Sequence, residues 1–209
     1  MSISQTLSEY RANIKKANSY IKLANIQDKK GHYIYSTDAQ HFITDVAFLK
    51  MFMAWESFLE ASFIKYMLGE LSATGKVIHR YVFPQDYNHA CNILISVDWG
   101  NPEMVRQMAK RYFKDGDPFE TYLKVINSDL FDLRTIRNAA VHLSSSTRWQ
   151  LDALGTRRLK KNCSNIHVSQ LILSIVPESS INQTILDVYQ LRLDIAAEGI
   201  ANAATFIKQ

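Results

Sequence analysis

From Ser4 to Lys30 apolar side chains return every three or four residues. Leu7, Tyr10, Ile14, Ala17, Ile21 and Ala24 share one face, with Arg11, Lys15, Lys16 and Lys22 elsewhere on the surface. This spacing predicts a helix closed by Gly31, with Lys29 and Lys30 at the negative end of its dipole. Tyr33-Ile34-Tyr35 reads as an extended connector. A second helix is predicted from Thr37, where Thr37 to Gln40 fits a capping box, to Leu68 or Leu71, with Gly69 or Gly75 closing it. Its apolar positions cover most of the circumference: Phe42, Val46, Leu49, Met53, Phe58, Phe63 and Met67, then Ile43, Phe48, Phe52 and Trp55. A helix so apolar packs on more than one side, as the central helix of a bundle or as one that also meets a second subunit.

Val77 to Phe83 fits neither period. Pro84 breaks it, and Gln85 to Val97 reads as a short helix. Asn101-Pro102 and Asp117-Pro118 each pair a capping residue with proline at the first helical position, which predicts helices over 102–113 and 118–126. Asp129 opens a helix to Leu143, and Thr147 to Leu154 makes one or two turns ended by Gly155. Ile166 to Val176 fits strand or helix equally. Ser180 to Gln183 fits a second capping box. The last helix runs to Phe206, with Ile185, Val188, Leu191, Ile195, Ile200 and Ala204 towards the core. No repeat or linker interrupts the pattern. The reading is one all-α, up-and-down helical bundle over 1–209, its core spanning roughly 38–207 with helix 4–30 packed on it.

Composition narrows this little. Hydrophobic residues at 47% and charged residues at 21% are globular values, while 7 Gly and 4 Pro speak against a turn-rich all-β fold. The net charge of +4 permits an anionic partner without demanding one. Cys91 and Cys163 sit in no CxxC pair or zinc-type cluster, so the expectation is a reduced chain with no metal and no cofactor. The N-terminus has no apolar signal core. Asp45, Lys50, Glu56, Glu60 and Lys65 interrupt the most apolar stretch too often for a membrane span. A cytoplasmic protein without a membrane partner is the simple expectation.

The stretch Asp132 to His142 is polar in a way that a surface helix does not need. Leu133, Ile136, Ala140 and Val141 make its apolar face, while Asn138 and His142, four apart, share another face that Arg134 and Arg137 flank. An Arg followed by a His after four to six residues arises by chance roughly once in such a chain, and requiring Asn, Asp or His directly after the Arg lowers that to roughly one in eight. Arg137-Asn138-Ala139-Ala140-Val141-His142 meets both conditions. These residue types suit cleavage of a phosphodiester in RNA, which carries its own nucleophile in the 2′-OH. An imidazole titrates near neutrality and can move the protons. A guanidinium offers a fixed charge to the phosphorane, and Asn138 can orient the ring. The same residues have structural readings. His142 can cap its helix, and Arg134 or Arg137 can pair with Asp132 or Glu56. A sharper role for Glu56 is to orient one of those arginines. The cluster Arg157, Arg158, Lys160 and Lys161 reads as a solvated loop or as a contact for RNA phosphates. His32, His41, His79, His89 and His167 receive no role.

The long apolar second helix with Trp55-Glu56-Ser57-Phe58-Leu59, followed much later by Arg137-Asn138 and His142, resembles a HEPN domain of the RiboL-PSP type. The resemblance covers roughly residues 38 to 207. It implies a HEPN-like bundle that dimerises and joins two motifs into a composite active site. It also implies a metal-independent endoribonuclease, in a toxin–antitoxin or antiviral defence system, with RNA as substrate and an antitoxin or regulatory protein as a possible partner. Other members of that superfamily lack catalysis and only bind nucleotides or partners, which leaves a noncatalytic binding module as the alternative.

Overall fold

Several helix ends have a cause in their neighbouring residues. The computed structural model describes residues 2–142, 144–177 and 179–204. Its α-helices are α1 (Ile3–Ala24), α2 (Thr37–Leu68), α3 (Tyr87–Leu94), α4 (Pro102–Tyr112), α5 (Phe119–Val125), α6 (Asn127–Val141), α7 (Ser145–Leu159), α8 (Val168–Leu173) and α9 (Ile185–Asn202), with a 3-10 turn at Lys114–Gly116. Among the described residues there is no strand, only isolated bridges such as Gln27 with Tyr33 and Arg80 with Phe113. The fold is all-α, and no described helix is long and apolar enough to cross a membrane.

Several boundaries differ from the expected ones. α1 stops at Ala24, short of Gly31, because the Asn25 carboxamide bonds back to the Ile21 carbonyl at 2.8 Å. Asp28 then accepts the N–H groups of Lys30 and His32, folding 25–33 into a turn. The N-cap of α2 is Ser36 instead of Thr37: its Oγ accepts from Ala39 N, and Gln40 donates to the Tyr35 carbonyl. At the other end Glu70 N reaches the Lys65 carbonyl and Gly69 N the Tyr66 carbonyl, around Gly69 at φ +89°. The Asn101 cap and Pro102 at N1 of α4 are as expected. Pro118 instead precedes α5 without a side-chain cap. α6 begins two residues before Asp129, and the proposed end at Leu143 lies outside the described residues. Residues 166–176, ambiguous by period, hold α8. Thr184 and Asp187 cap α9 reciprocally, displacing the box expected at Ser180 to Gln183. Leu191 and Ile195 are exposed, and Leu186, Tyr189, Leu193, Ala196 and Ala197 form the buried face of α9 with Ile185 and Ile200. Phe206 lies outside the described residues.

The described residues fall into two compact units. The first comprises 2–11, 54–131 and 192–204. It is built around Phe63, whose ring lies 4.8 Å from both Phe113 and Phe119 and 5.5 Å from Trp99. There Tyr66 donates to the Ile200 carbonyl at 2.7 Å. The second comprises the described residues of 12–53 and 132–191. It buries Phe48, Met51 and Phe52 of α2, Leu133 and Ile136 of α6, and Leu151 and Leu154 of α7. The apolar positions of α2 are not all interior: Phe42, Val46 and Met53, spaced by four and seven residues, are exposed.

Candidate functional site

α6 holds its place through two buried acids. Asp129 pairs with Arg192 at 2.5 Å. Asp132, only 4% exposed, takes Arg157 and Arg158 together with the Tyr189 hydroxyl at 2.9 Å. Ionised groups at such depth require partners of this kind. With Leu130, Leu133, Ile136 and Ala139 also buried, the remaining face carries half-buried Arg134, Arg137 and Asn138, then exposed Val141 and His142.

Arg137 and Asn138 meet directly: Arg137 Nη1 donates to Asn138 Oδ1 at 3.2 Å. His142 lies one residue past the last helical residue of α6, and its backbone N–H still reaches the Asn138 carbonyl at 2.9 Å. The expected side-chain bond between Asn138 and His142 is absent: Arg137 engages the Asn138 oxygen, and His142 lies one residue beyond α6. Among the described residues the imidazole has no hydrogen-bond or ion-pair partner.

From Ser144 onward the chain is more ordered than a serine-rich loop. Ser144 caps α7: its Oγ accepts from Thr147 N, and Thr147 Oγ1 accepts from Ser144 N. Thr147 Oγ1 also donates to the His142 carbonyl at 2.5 Å. His142 is thus clamped between the C-terminus of α6 and the positive N-terminus of α7. α7 runs fifteen residues. Gly155 is inside it, not at its end. A Cβ there would lie 3.3 Å from Cys163 Cβ, so that glycine serves a close approach.

The basic cluster is only partly a solvated loop. Arg157 and Arg158 belong to the last turn of α7 and neutralise Asp132. The Arg158 guanidinium also lies 5.3 Å from the Tyr189 ring centroid. Both guanidiniums therefore have a structural task, while Lys160 adopts a left-handed conformation after the helix and Lys161 is exposed. Glu56 is half-buried on the part of α2 that belongs to the first unit; Arg134 and Arg137 belong to the second.

One group carried no expectation. His41 and His167 stack with centroids 4.0 Å apart, and His167 Nε2 lies 3.6 Å from Asp45 Oδ2. Burial pushes the Asp45 carboxyl up to about 7, against a lowering bond from Ser169 N, and leaves Oδ1 without a partner. Burial, and then the neighbouring His41, push His167 down. Its Nδ1 caps α8 by accepting from Ser169 N. His41 and Asp45 at i and i+4 were a readable half of this cluster; His167 is too distant in sequence to join it. Among the described residues no group of three or more His, Cys, Asp or Glu is arranged to hold a metal ion.

No protein-family profile, curated protein or solved structure matches the chain.

Proposed function

We propose that the chain is a HEPN-like, metal-independent endoribonuclease in which Arg137, Asn138 and His142 carry the chemistry. The observation that carries the reading is an exposed His142 one residue past α6, whose backbone N–H donates to the carbonyl of an asparagine that holds Arg137 through its side chain. A general acid or base needs an accessible ring, and His142 has one. In this reading Arg137 and the positive end of α7 stabilise a phosphate bound beside His142. Attack by the 2′-OH would give a 2′,3′-cyclic phosphate and a 5′-OH, with His142 moving a proton and Arg137 stabilising the phosphorane.

Two proton transfers need two groups, and one chain supplies one such histidine in this motif. A second copy would supply the other, and exposed Val141 and His142 leave that end of α6 free to receive it. A cytoplasmic toxin–antitoxin or antiviral role, with a protein that restrains the nuclease, follows from this reading.

One observation favours the alternative, a noncatalytic RNA- or nucleotide-binding or protein-interaction module: among the described residues no side chain orients the His142 ring. Incubating purified protein with mixed RNA in EDTA separates the two. Cleavage that persists in chelator and is lost in His142→Ala supports the nuclease; RNA bound but uncleaved by wild type supports the binding module.

A further inference from the structure

The second half of α1 and the turn after it carry a surface of their own. Between Asn13 and Ser36 stand five lysines, Lys15, Lys16, Lys22, Lys29 and Lys30, and one acid, Asp28. This stretch therefore holds the whole net charge of +4, and the rest of the chain balances to zero. All five lysines are exposed, and among the described residues none of them forms an ion pair. Ala17, Ile21 and Ala24 face the core, which puts Lys15, Lys16, Lys22 and Leu23 on the outer side of α1. Beyond α1, Ile34 N donates to the Ile26 carbonyl at 3.0 Å and Asp28 N to the His32 carbonyl at 2.8 Å. Ile26 and Ile34 thus stand opposite each other on one face of a short two-stranded ribbon. The Asp28 carboxylate accepts from Lys30 N and His32 N, which fixes the turn that presents Lys29 and Lys30.

Lysines alone would suit any polyanion. Here large apolar side chains stand among them: Tyr20, Leu23 and Ile26 are exposed, Tyr33 is 55% exposed and Ile34 61%. Single exposed apolar groups are ordinary, but such a run interleaved with unpaired lysines is not. A phosphate backbone would leave the aliphatic side chains in water. An anionic bilayer offers charge at its surface and hydrocarbon just below it, and tyrosine suits the boundary between the two. We propose that the outer side of α1 and the ribbon dock on an anionic lipid surface, with the lysines at the headgroups and Leu23, Ile26 and Ile34 entering the acyl boundary. The contact lies along the surface and needs no spanning helix, so it amends the expectation of no membrane partner while every described helix remains too short or too polar to cross. Residues 13–36 belong wholly to the second unit, and the proposal does not depend on the nuclease reading.

The test is co-sedimentation of the full chain with phosphatidylcholine vesicles, with and without phosphatidylserine. The expected result is binding at least about 10-fold tighter to the anionic vesicles, weakening as salt rises. Lys29→Glu/Lys30→Glu should lower it roughly 10-fold or more, and Ile26→Ser/Ile34→Ser by a similar factor. All four side chains are exposed, so circular-dichroism melts of both variants should match wild type and separate loss of binding from loss of fold. Equal binding to anionic and neutral vesicles overturns the proposal. So does binding unchanged within about two-fold in the isoleucine pair, because the lysines would then meet a plain polyanion. Titration with single-stranded RNA that is weakened only in the lysine pair, with no vesicle binding by wild type, would give the surface to nucleic acid and overturn it too.

Discussion

Arg158 donates through Nε to Asp132 Oδ2 at 2.8 Å while its guanidinium lies over the Tyr189 ring, and so the start of the motif-bearing stretch of α6 is tied to the end of α7 and to α9. The pair is asymmetric. The Asp132 side chain is 6% exposed, Arg158 is 27% exposed, and Arg157, on the other carboxylate oxygen, is 58% exposed.

Removing the acid is therefore expected to hurt more than removing either base. Asp132→Ala leaves a buried Tyr189 hydroxyl and two cations without their acceptor, and should cost about 3 kcal/mol. Arg157→Ala, at the solvent edge, should cost under about 1 kcal/mol. Urea unfolding of the two variants checks the order; equal losses would contradict it.

Asp45 gives a pH dependence. The folded chain holds this proton up to about pH 7, whereas the unfolded chain releases it near pH 4. Between those values the folded state binds more protons, so this group makes stability fall as pH rises from about 4 to about 7. His167, pushed down, acts oppositely: its folded form resists protonation, and stability is lost as pH drops below about 6.5. Asp45→Asn is expected to raise stability by roughly 1 kcal/mol at pH 8 and hardly at all at pH 4. A gain of the same size at both pH values would show that the carboxyl is not perturbed.

Gly69 is held chiefly by its backbone. Its φ of +89° strongly favours glycine, and a Cβ would in addition displace the end of the Arg80 side chain. Gly69→Ala should destabilise the chain by about 2 kcal/mol, measured by thermal unfolding. Gly31, at φ +82° but with open space around it, should lose only about 1 kcal/mol on the same change.

These contrasts show what the sequence could reveal. Caps written within four residues were legible: Asn101-Pro102 stands where its chemistry requires, and the α2 cap missed by one residue because Ser36 and Thr37 both qualify. Exposure along α2 and α9 was less legible, since periodicity marks an apolar face without saying what covers Phe42 or Leu191. Pairings across long separations were not legible at all. Nothing near Asp132 points to Arg157, and nothing near Asp45 points to His167. Gly155 misled because glycine serves close packing as well as helix ends.

The candidate site divides the same way. Its residues were readable as a motif, but the contact that exists, Arg137 with Asn138, was not the one expected, Asn138 with His142. If Asn138 mainly steers Arg137, Asn138→Ala should lower cleavage about 10-fold without moving its pH profile, whereas a ring-orienting role would shift the profile. Arg137→Lys keeps the charge but loses the planar fork, and should lower cleavage about 100-fold.

The most direct measurement is cleavage of end-labelled RNA by wild type and His142→Ala in EDTA, with product ends mapped. The expected result is wild-type cleavage leaving 2′,3′-cyclic phosphate and 5′-OH ends, and loss of at least about 1,000-fold in the variant. Cleavage that survives in His142→Ala, or intact RNA with wild type across all RNA classes offered, would contradict the assignment of a ribonuclease to the end of α6.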